Sequence, residues 1–110
     1  MNCLELLEKY ILLHNYGIDT GDFGPMFELF ADNAVFEFED ERIGSFAGIE
    51  MITGVFRRQA PATKLVISNL EDNDGAASAD YANEDRPTMR LGSLILKPED
   101  DKIKRLFIAK

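Results

Sequence analysis

The chain of 110 residues is 45% hydrophobic and 29% charged, a composition that predicts one compact domain over residues 1–110 and excludes a disordered or collagen-like chain. Twenty acidic against twelve basic residues give a formal charge of -8, which repels phosphate backbones and argues against a nucleic-acid partner. No apolar run approaches the roughly 18 residues that a membrane-spanning helix needs, so no membrane partner is expected.

The first residues, MNCLELLEKY, lack the basic start of a signal peptide, and Glu5 and Glu8 interrupt the apolar stretch that such a peptide requires. A cytoplasmic location is therefore expected. Cys3 is the only cysteine, which excludes an internal disulfide and a zinc site made of several thiolates. We expect neither a metal site nor a cofactor.

The segment from Cys3 to about Ile18 is predicted to be a helix, because apolar residues recur at the three-four spacing of one helix face. This apolar stripe consists of Leu4, Leu7, Ile11 and Ile18. His14, the only histidine, occupies the missing place in the stripe. A second apolar line runs beside it, so the helix is expected to be covered on more than one side. That line consists of Leu6, Tyr10 and Leu13.

A short second helix is predicted over about residues 23–30. Asp22 is its expected N-cap, because its carboxylate can accept hydrogen bonds from the unpaired amides of the first turn. Pro25 suits that turn, since the donor it lacks would be unpaired anyway. The helix places four apolar side chains on one side and is expected to end at residues 31–33. These side chains are Phe23, Met26, Phe27 and Phe30.

Residues 34–39 alternate between two kinds of side chain, which predicts a strand with one apolar and one wetter face. Ala34, Phe36 and Phe38 form the apolar face, and Glu37 and Glu39 lie on the other. A turn between two glycines follows. Helical spacing then resumes from residue 49, and a proline at position 61 ends this third helix.

The second half of the chain contains no convincing helix. Strands are predicted over residues 63–70, 76–82, 88–97 and 103–110, with turns at DNDG and PEDD. Three helices around one early strand, followed by a run of antiparallel strands, predict an α+β domain with helices packed on a curved sheet.

Two stretches, TGDFGPMFELFADNAVFEF and FAGIEMITGVF, resemble the first half of the SnoaL-like branch of the NTF2-like superfamily. The shared features are a Gly-Asp before the second helix, a Leu-Phe-Ala-Asp close to it, an aromatic-rich strand and an aromatic-x-Gly that opens the third helix. They fall at residues 21–22, 29–32, 35–38 and 46–48. The resemblance covers residues 3–60, and beyond residue 63 only the number and spacing of the strands agree.

The resemblance implies a cone-shaped, cystatin-like domain whose strongly curved, mainly antiparallel sheet and three N-terminal helices enclose a pocket. Ketosteroid isomerase, limonene epoxide hydrolase, scytalone dehydratase and polyketide cyclases use this scaffold, and so do proteins without catalysis. The fold therefore does not name a reaction.

The sequence departs from the ketosteroid isomerase pattern at two positions. His14 stands where those enzymes have a tyrosine, and Phe38 stands where they have the carboxylate base. A phenyl ring cannot accept a proton, so isomerisation by that mechanism is not expected. A one-residue bulge would be needed to turn Glu37 or Glu39 inward.

Two residues are the candidate catalytic groups. His14 is either held by a backbone carbonyl or neighbouring hydroxyl, or it faces the pocket as an acid or base. Some SnoaL-like enzymes combine a tyrosine and an aspartate with a histidine. Tyr16 and Asp19 match the first two, but no later strand supplies the histidine, and Asp19 has an alternative role in ending the first helix.

The predicted ligand pocket contains six residues: Tyr10, His14, Phe36, Phe38, Tyr81 and Arg90. A mostly apolar pocket selects flat or greasy ligands, so the expected partner is a small hydrophobic molecule. The face on which Arg90 lies depends on the strand register. The function is either a cofactor-independent isomerase, dehydratase or cyclase, or a non-catalytic ligand-binding module. A third alternative is a homodimer that pairs through the open sheet face and keeps a vestigial pocket.

Overall fold

A computed structural model describes all 110 residues and shows an α+β domain with a curved six-stranded sheet, as predicted. The helices are α1 (Cys3–Thr20), α2 (Gly24–Phe27) and α3 (Ile49–Arg58). The strands are β1 (Phe30–Phe38), β2 (Ser45–Ala47), β3 (Leu65–Asp72), β4 (Ala77–Asn83), β5 (Gly92–Glu99) and β6 (Lys102–Ala109). No helix is both long enough and apolar enough to cross a membrane.

The strands lie in the order β2-β1-β6-β5-β4-β3. Every neighbouring pair is antiparallel except β1 and β6, which run parallel. The register shifts in three pairs: in β1 between Phe30 and Val35, in β3 after Ser68, and in β5 at Pro98. Such irregularities bend a strand and increase its twist, which allows the sheet to curve around the helices.

The core lies between the helices and the concave face of the sheet. Its fully buried side chains come from all three helices and from β1, β4, β5 and β6, so both halves of the chain contribute to one core. The largest of them are Leu6, Leu7, Met26, Ile52, Leu94, Leu96, Ile103 and Leu106.

The second helix is shorter than predicted. It spans only residues 24–27, and residues 30–33 belong to β1 instead of ending a helix. Phe30 pairs with Ile103 of β6, so a strand partner distant in sequence overrides the local helical pattern. The N-cap of α2 is Phe23 and not Asp22. The Asp22 carboxylate nevertheless accepts a hydrogen bond from the Gly24 amide at 2.9 Å.

Two further differences concern the strands. The short β2 was not predicted; it pairs with β1 through the register Phe36 to Phe46. The strand predicted over residues 88–97 begins too early, because residues 88–91 form a loop and β5 starts only at Gly92.

Candidate functional site

A cavity of about 420 Å³ opens between α1, α3 and the concave face of the sheet. This volume lies in the range of small-molecule sites. Thirteen of its eighteen lining residues are hydrophobic, and none is Asp, Glu, Lys or Arg. The lining residues are Tyr10, His14, Phe36, Phe38, Ile43, Phe46, Val55, Phe56, Gln59, Pro61, Ala62, Thr63, Leu65, Tyr81, Asn83, Leu91, Leu94 and Ile108.

Aromatic rings build one wall of the cavity. The Phe36 ring stacks on Phe38 with centroids 4.9 Å apart and on Phe56 of α3 at 5.9 Å. The Phe38 ring meets Phe46 of β2 edge to face. Strand alternation explains this wall, because Ala34, Phe36 and Phe38 share the inner face of β1 as predicted.

His14 lies on the cavity side of α1 and is 4% exposed. Its ring makes one hydrogen bond, between Nδ1 and Oδ1 of Asn15 at 3.0 Å. Nε2 makes none, and no buried side-chain nitrogen or oxygen lacks a partner. Nε2 is therefore accessible from the cavity. Burial lowers the pKa of His14, an effect that the bond to Asn15 partly opposes.

Two tyrosines line the same cavity as the histidine. Tyr10 lies one turn before His14, with ring centroids 6.1 Å apart, and Tyr81 lines the cavity from β4. Neither hydroxyl has a hydrogen-bond partner in the protein, and neither is buried without one, so both reach the cavity. Burial raises the pKa of each tyrosine, and both are neutral donors at pH 7.

A second aromatic cluster supports the site from behind. The Phe23 ring lies 6.4 Å from His14 and 5.5 Å from Phe56. It packs directly against Gly17 of α1, where a Cβ would lie only 2.2 Å from the ring. Gly17 thus permits the contact between the loop before α2 and the helix that carries His14.

Neither Glu37 of β1 nor Glu39, which follows the strand, lines the cavity. Glu37 pairs with Arg105 on the outer face of the sheet, and the Glu39 carboxylate accepts from the Lys110 amide at 2.7 Å. The irregularity in β1 lies between Phe30 and Val35, before the glutamates, so it leaves their alternation unchanged. Phe38 therefore occupies the inner position without a carboxylate beside it.

Two expected site residues lie elsewhere. Arg90 does not line the cavity, because it sits in the exposed loop before β5, where its Nε donates to Asp80 at 3.0 Å. Asp19 is also absent from the lining; it pairs with Lys64 at 3.0 Å on the surface. The structure brings the other five expected pocket residues together.

Asn15 is a residue of the site that the sequence does not predict. Its side chain touches both His14 and the backbone of Leu65 on β3, yet in the sequence it is an ordinary polar residue on a helix. No local signal distinguishes it, since its contact with Leu65 joins residues 50 positions apart.

No group of three or more His, Cys, Asp or Glu side chains is placed to hold a metal ion.

No protein-family model matches the sequence, and no match to a curated protein was found. Solved structures with a similar fold were found, although their sequence identity to this chain is low. An NTF2-like protein of unknown function from Cytophaga hutchinsonii superposes with a TM-score of 0.69 and 14% identity, covering 98% of this chain and 89% of the other. A proposed polyketide cyclase from Sinorhizobium meliloti gives 0.64 and 19%, covering 91% and 93%.

A proposed ketosteroid isomerase from Kribbella flavida superposes with a TM-score of 0.66 and 19% identity, covering 96% of this chain and 76% of the other. At such identities the likeness concerns the fold and not the activity. The sheet order, the three helices and the cavity agree with the cystatin-like domain that the sequence resemblance implies. The chain has the NTF2-like fold, which is also called cystatin-like.

Proposed function

We propose that the protein binds a small, uncharged, mainly apolar molecule in the cavity. The observation that carries the proposal is the lining, which combines aromatic walls with polar but no charged side chains. A charged ligand would lose its hydration without gaining an ion pair. His14 and the hydroxyls of Tyr10 and Tyr81 are the groups that would orient the ligand.

The test is a fluorescence titration with two probes of similar shape, neutral 2-naphthol and anionic 2-naphthoate. We expect 2-naphthol to bind at least tenfold more tightly. Val55→Trp fills the cavity from α3 and should abolish binding, whereas Met51→Trp adds the same ring to the exposed face of that helix and should not. Equal binding of both probes, or unchanged binding in the Val55→Trp variant, contradicts the proposal.

We further propose that His14 acts as a base in a cofactor-independent isomerisation, dehydration or cyclisation. Its accessible Nε2 supports this, as do the proposed activities of the two structural neighbours. Phe38 stands where ketosteroid isomerases have their carboxylate base, and the lining contains no Asp, Glu, Lys or Arg. His14 is therefore the one group in the lining that can act as a base when it is neutral.

A carbon acid such as 5-nitrobenzisoxazole tests this role without knowledge of the natural substrate. The base removes the proton on carbon, the released electron pair forms the nitrile, and the nitrogen–oxygen bond breaks to leave a phenolate. We expect turnover that falls about 100-fold or more in His14→Gln, the usual size of a general-base contribution. A rate that is the same in both proteins would leave ligand binding as the function.

We also propose a homodimer that pairs through the outer face of the sheet. The strands β5 and β6 form a shallow groove there, in which Ile95 and Phe107 lie opposite each other, both partly buried. Light scattering across protein concentrations should detect a dimer, and Ile95→Lys should dissociate it. A monomer at every concentration would exclude this assembly.

A further inference from the structure

One side chain links the candidate base to the sheet. Asn15 lies next to His14 on α1 and faces Leu65 at the start of the edge strand β3. Its Nδ2 donates to the Leu65 carbonyl at 2.8 Å, and its Oδ1 accepts from the Leu65 amide at 2.9 Å. The amide of Asn15 therefore pairs with the backbone as a neighbouring strand would.

This pairing determines which way the Asn15 amide points. In the flipped orientation, the amide nitrogen would face the Leu65 N–H and the oxygen would face the Leu65 carbonyl, so both hydrogen bonds would be lost. The oxygen is therefore held toward the Leu65 amide, and the same oxygen lies 3.0 Å from Nδ1 of His14.

The fixed oxygen in turn determines the tautomer of the histidine. Because Oδ1 only accepts, Nδ1 of a neutral imidazole must carry the proton and donate it to Asn15. Nε2 then carries a lone pair, and this is the ring atom that reaches the cavity. No charged side chain lines the cavity to alter this state, and the other titratable groups that line it are Tyr10 and Tyr81.

We propose that Asn15 is a positioning residue that holds His14 in the Nδ1–H tautomer, so that the cavity prefers uncharged ligands with a hydroxyl that donates to Nε2. The ligand class is thus a phenol, enol or alcohol on an apolar frame. An ether or a hydrocarbon of the same shape offers no donor. This preference rests on the proposed use of the cavity, whereas the tautomer does not.

The tautomer is measured directly by long-range proton–nitrogen correlation spectra of protein with ¹⁵N-labelled histidine. Only one histidine is present, so the assignment is unambiguous. At pH 7.5 we expect a protonated Nδ1 and an unprotonated Nε2. A protonated Nε2, with or without a proton on Nδ1, overturns the proposal. This experiment needs no variant and no ligand.

The link to Asn15 is tested with Asn15→Asp. A carboxylate beside Nδ1 favours the imidazolium, so we expect the pKa of His14 to rise by one unit or more. Asn33→Asp is the matched control, because it adds the same charge at an exposed position of β1 outside the cavity lining. An equal rise in both variants would show a general charge effect and contradict the role of Asn15.

The ligand preference is tested by titration with 2-naphthol and 2-methoxynaphthalene, which differ only in the donor. We expect the unmodified protein to prefer 2-naphthol roughly tenfold. At a pH between the measured His14 pKa values of the two proteins, Asn15→Asp should lose this preference, because its imidazolium no longer accepts. Equal binding of both probes to the unmodified protein overturns the preference. If neither probe binds, the proposed function fails, and the tautomer still decides the role of Asn15.

Discussion

Replacing Gly17 by alanine tests the packing behind the site, because two physical effects predict opposite signs. In a helix interior, glycine is about 1 kcal/mol less favourable than alanine, so propensity alone predicts a more stable protein. The structure predicts the reverse. A Cβ at this position would lie 2.2, 2.5 and 2.7 Å from three carbons of the Phe23 ring, so the ring would have to move away.

The expected net change follows from these two terms. Forcing an extra carbon into a well-packed site typically costs about 1–3 kcal/mol, and overlap with three ring atoms places Gly17→Ala at the upper end. After subtracting about 1 kcal/mol for helix propensity, we expect a loss of about 2 kcal/mol in the free energy of unfolding. Displacing Phe23 should also weaken 2-naphthol binding, because that ring contacts His14 and Phe56.

Urea unfolding followed by circular dichroism measures the change. Gly54→Ala on α3 is the matched control, because its added Cβ would meet its nearest neighbour, Arg58, at an ordinary 3.5 Å. That variant should gain a few tenths to about 1 kcal/mol. If Gly17→Ala is stabilised as much as Gly54→Ala, the close packing of Phe23 on α1 is refuted.

Three further predictions concern charge. Burial lowers the folded-state pKa of His14 below the unfolded value of about 6.5, so the free energy of unfolding should fall as the pH is lowered from about 7.5 to about 5.5. In His14→Phe, the free energy measured by urea unfolding should depend less on pH over this range. Hydrogen bonds from Asn69, Arg90 and Ser93 lower the pKa of Asp80 to about 2, so its contribution is present above about pH 4 and is lost as the pH falls to about 2. Unfolding of Asp80→Asn should therefore depend less on pH in that range, and an unchanged slope would contradict the cause given. Asp19→Asn should change 2-naphthol binding less than twofold, since Asp19 pairs with Lys64 outside the cavity.

Helices and strands whose apolar residues recur at a clear spacing were predictable from the sequence. Those that depend on partners distant in the sequence were not. The stripe on α1 and the alternation in β1 reflect burial on one face, which the sequence records directly. Residues 30–33 combine helical spacing with a strand conformation, because β6 pairs with Phe30 from more than seventy positions away. β2 spans only three residues, too few to show a period.

The site was predictable in its aromatic part and less so in its polar part. Phe36, Phe38 and Tyr10 follow from periodicity, which indicates the inner face of an element. The prediction of Arg90 in the pocket requires a strand at residue 90 whose register turns the side chain inward. The structure has no strand there, because β5 starts two residues later, and Asp80 holds the side chain outside. Asn15 acquires its role only through Leu65, a contact that exists once β3 packs against α1.

The central position of β6 has a consequence for the order in which the protein can fold during synthesis. β6 is the only strand that joins β1 to β5, so the sheet consists of two separate pieces until residues 102–109 have left the ribosome. Until then β1 lacks the strand that pairs with it on its inner side of the sheet, and its apolar face is open to chaperones or to aggregation. A slowly translated message should therefore prolong the exposed state of the nascent chain without helping its first half to fold.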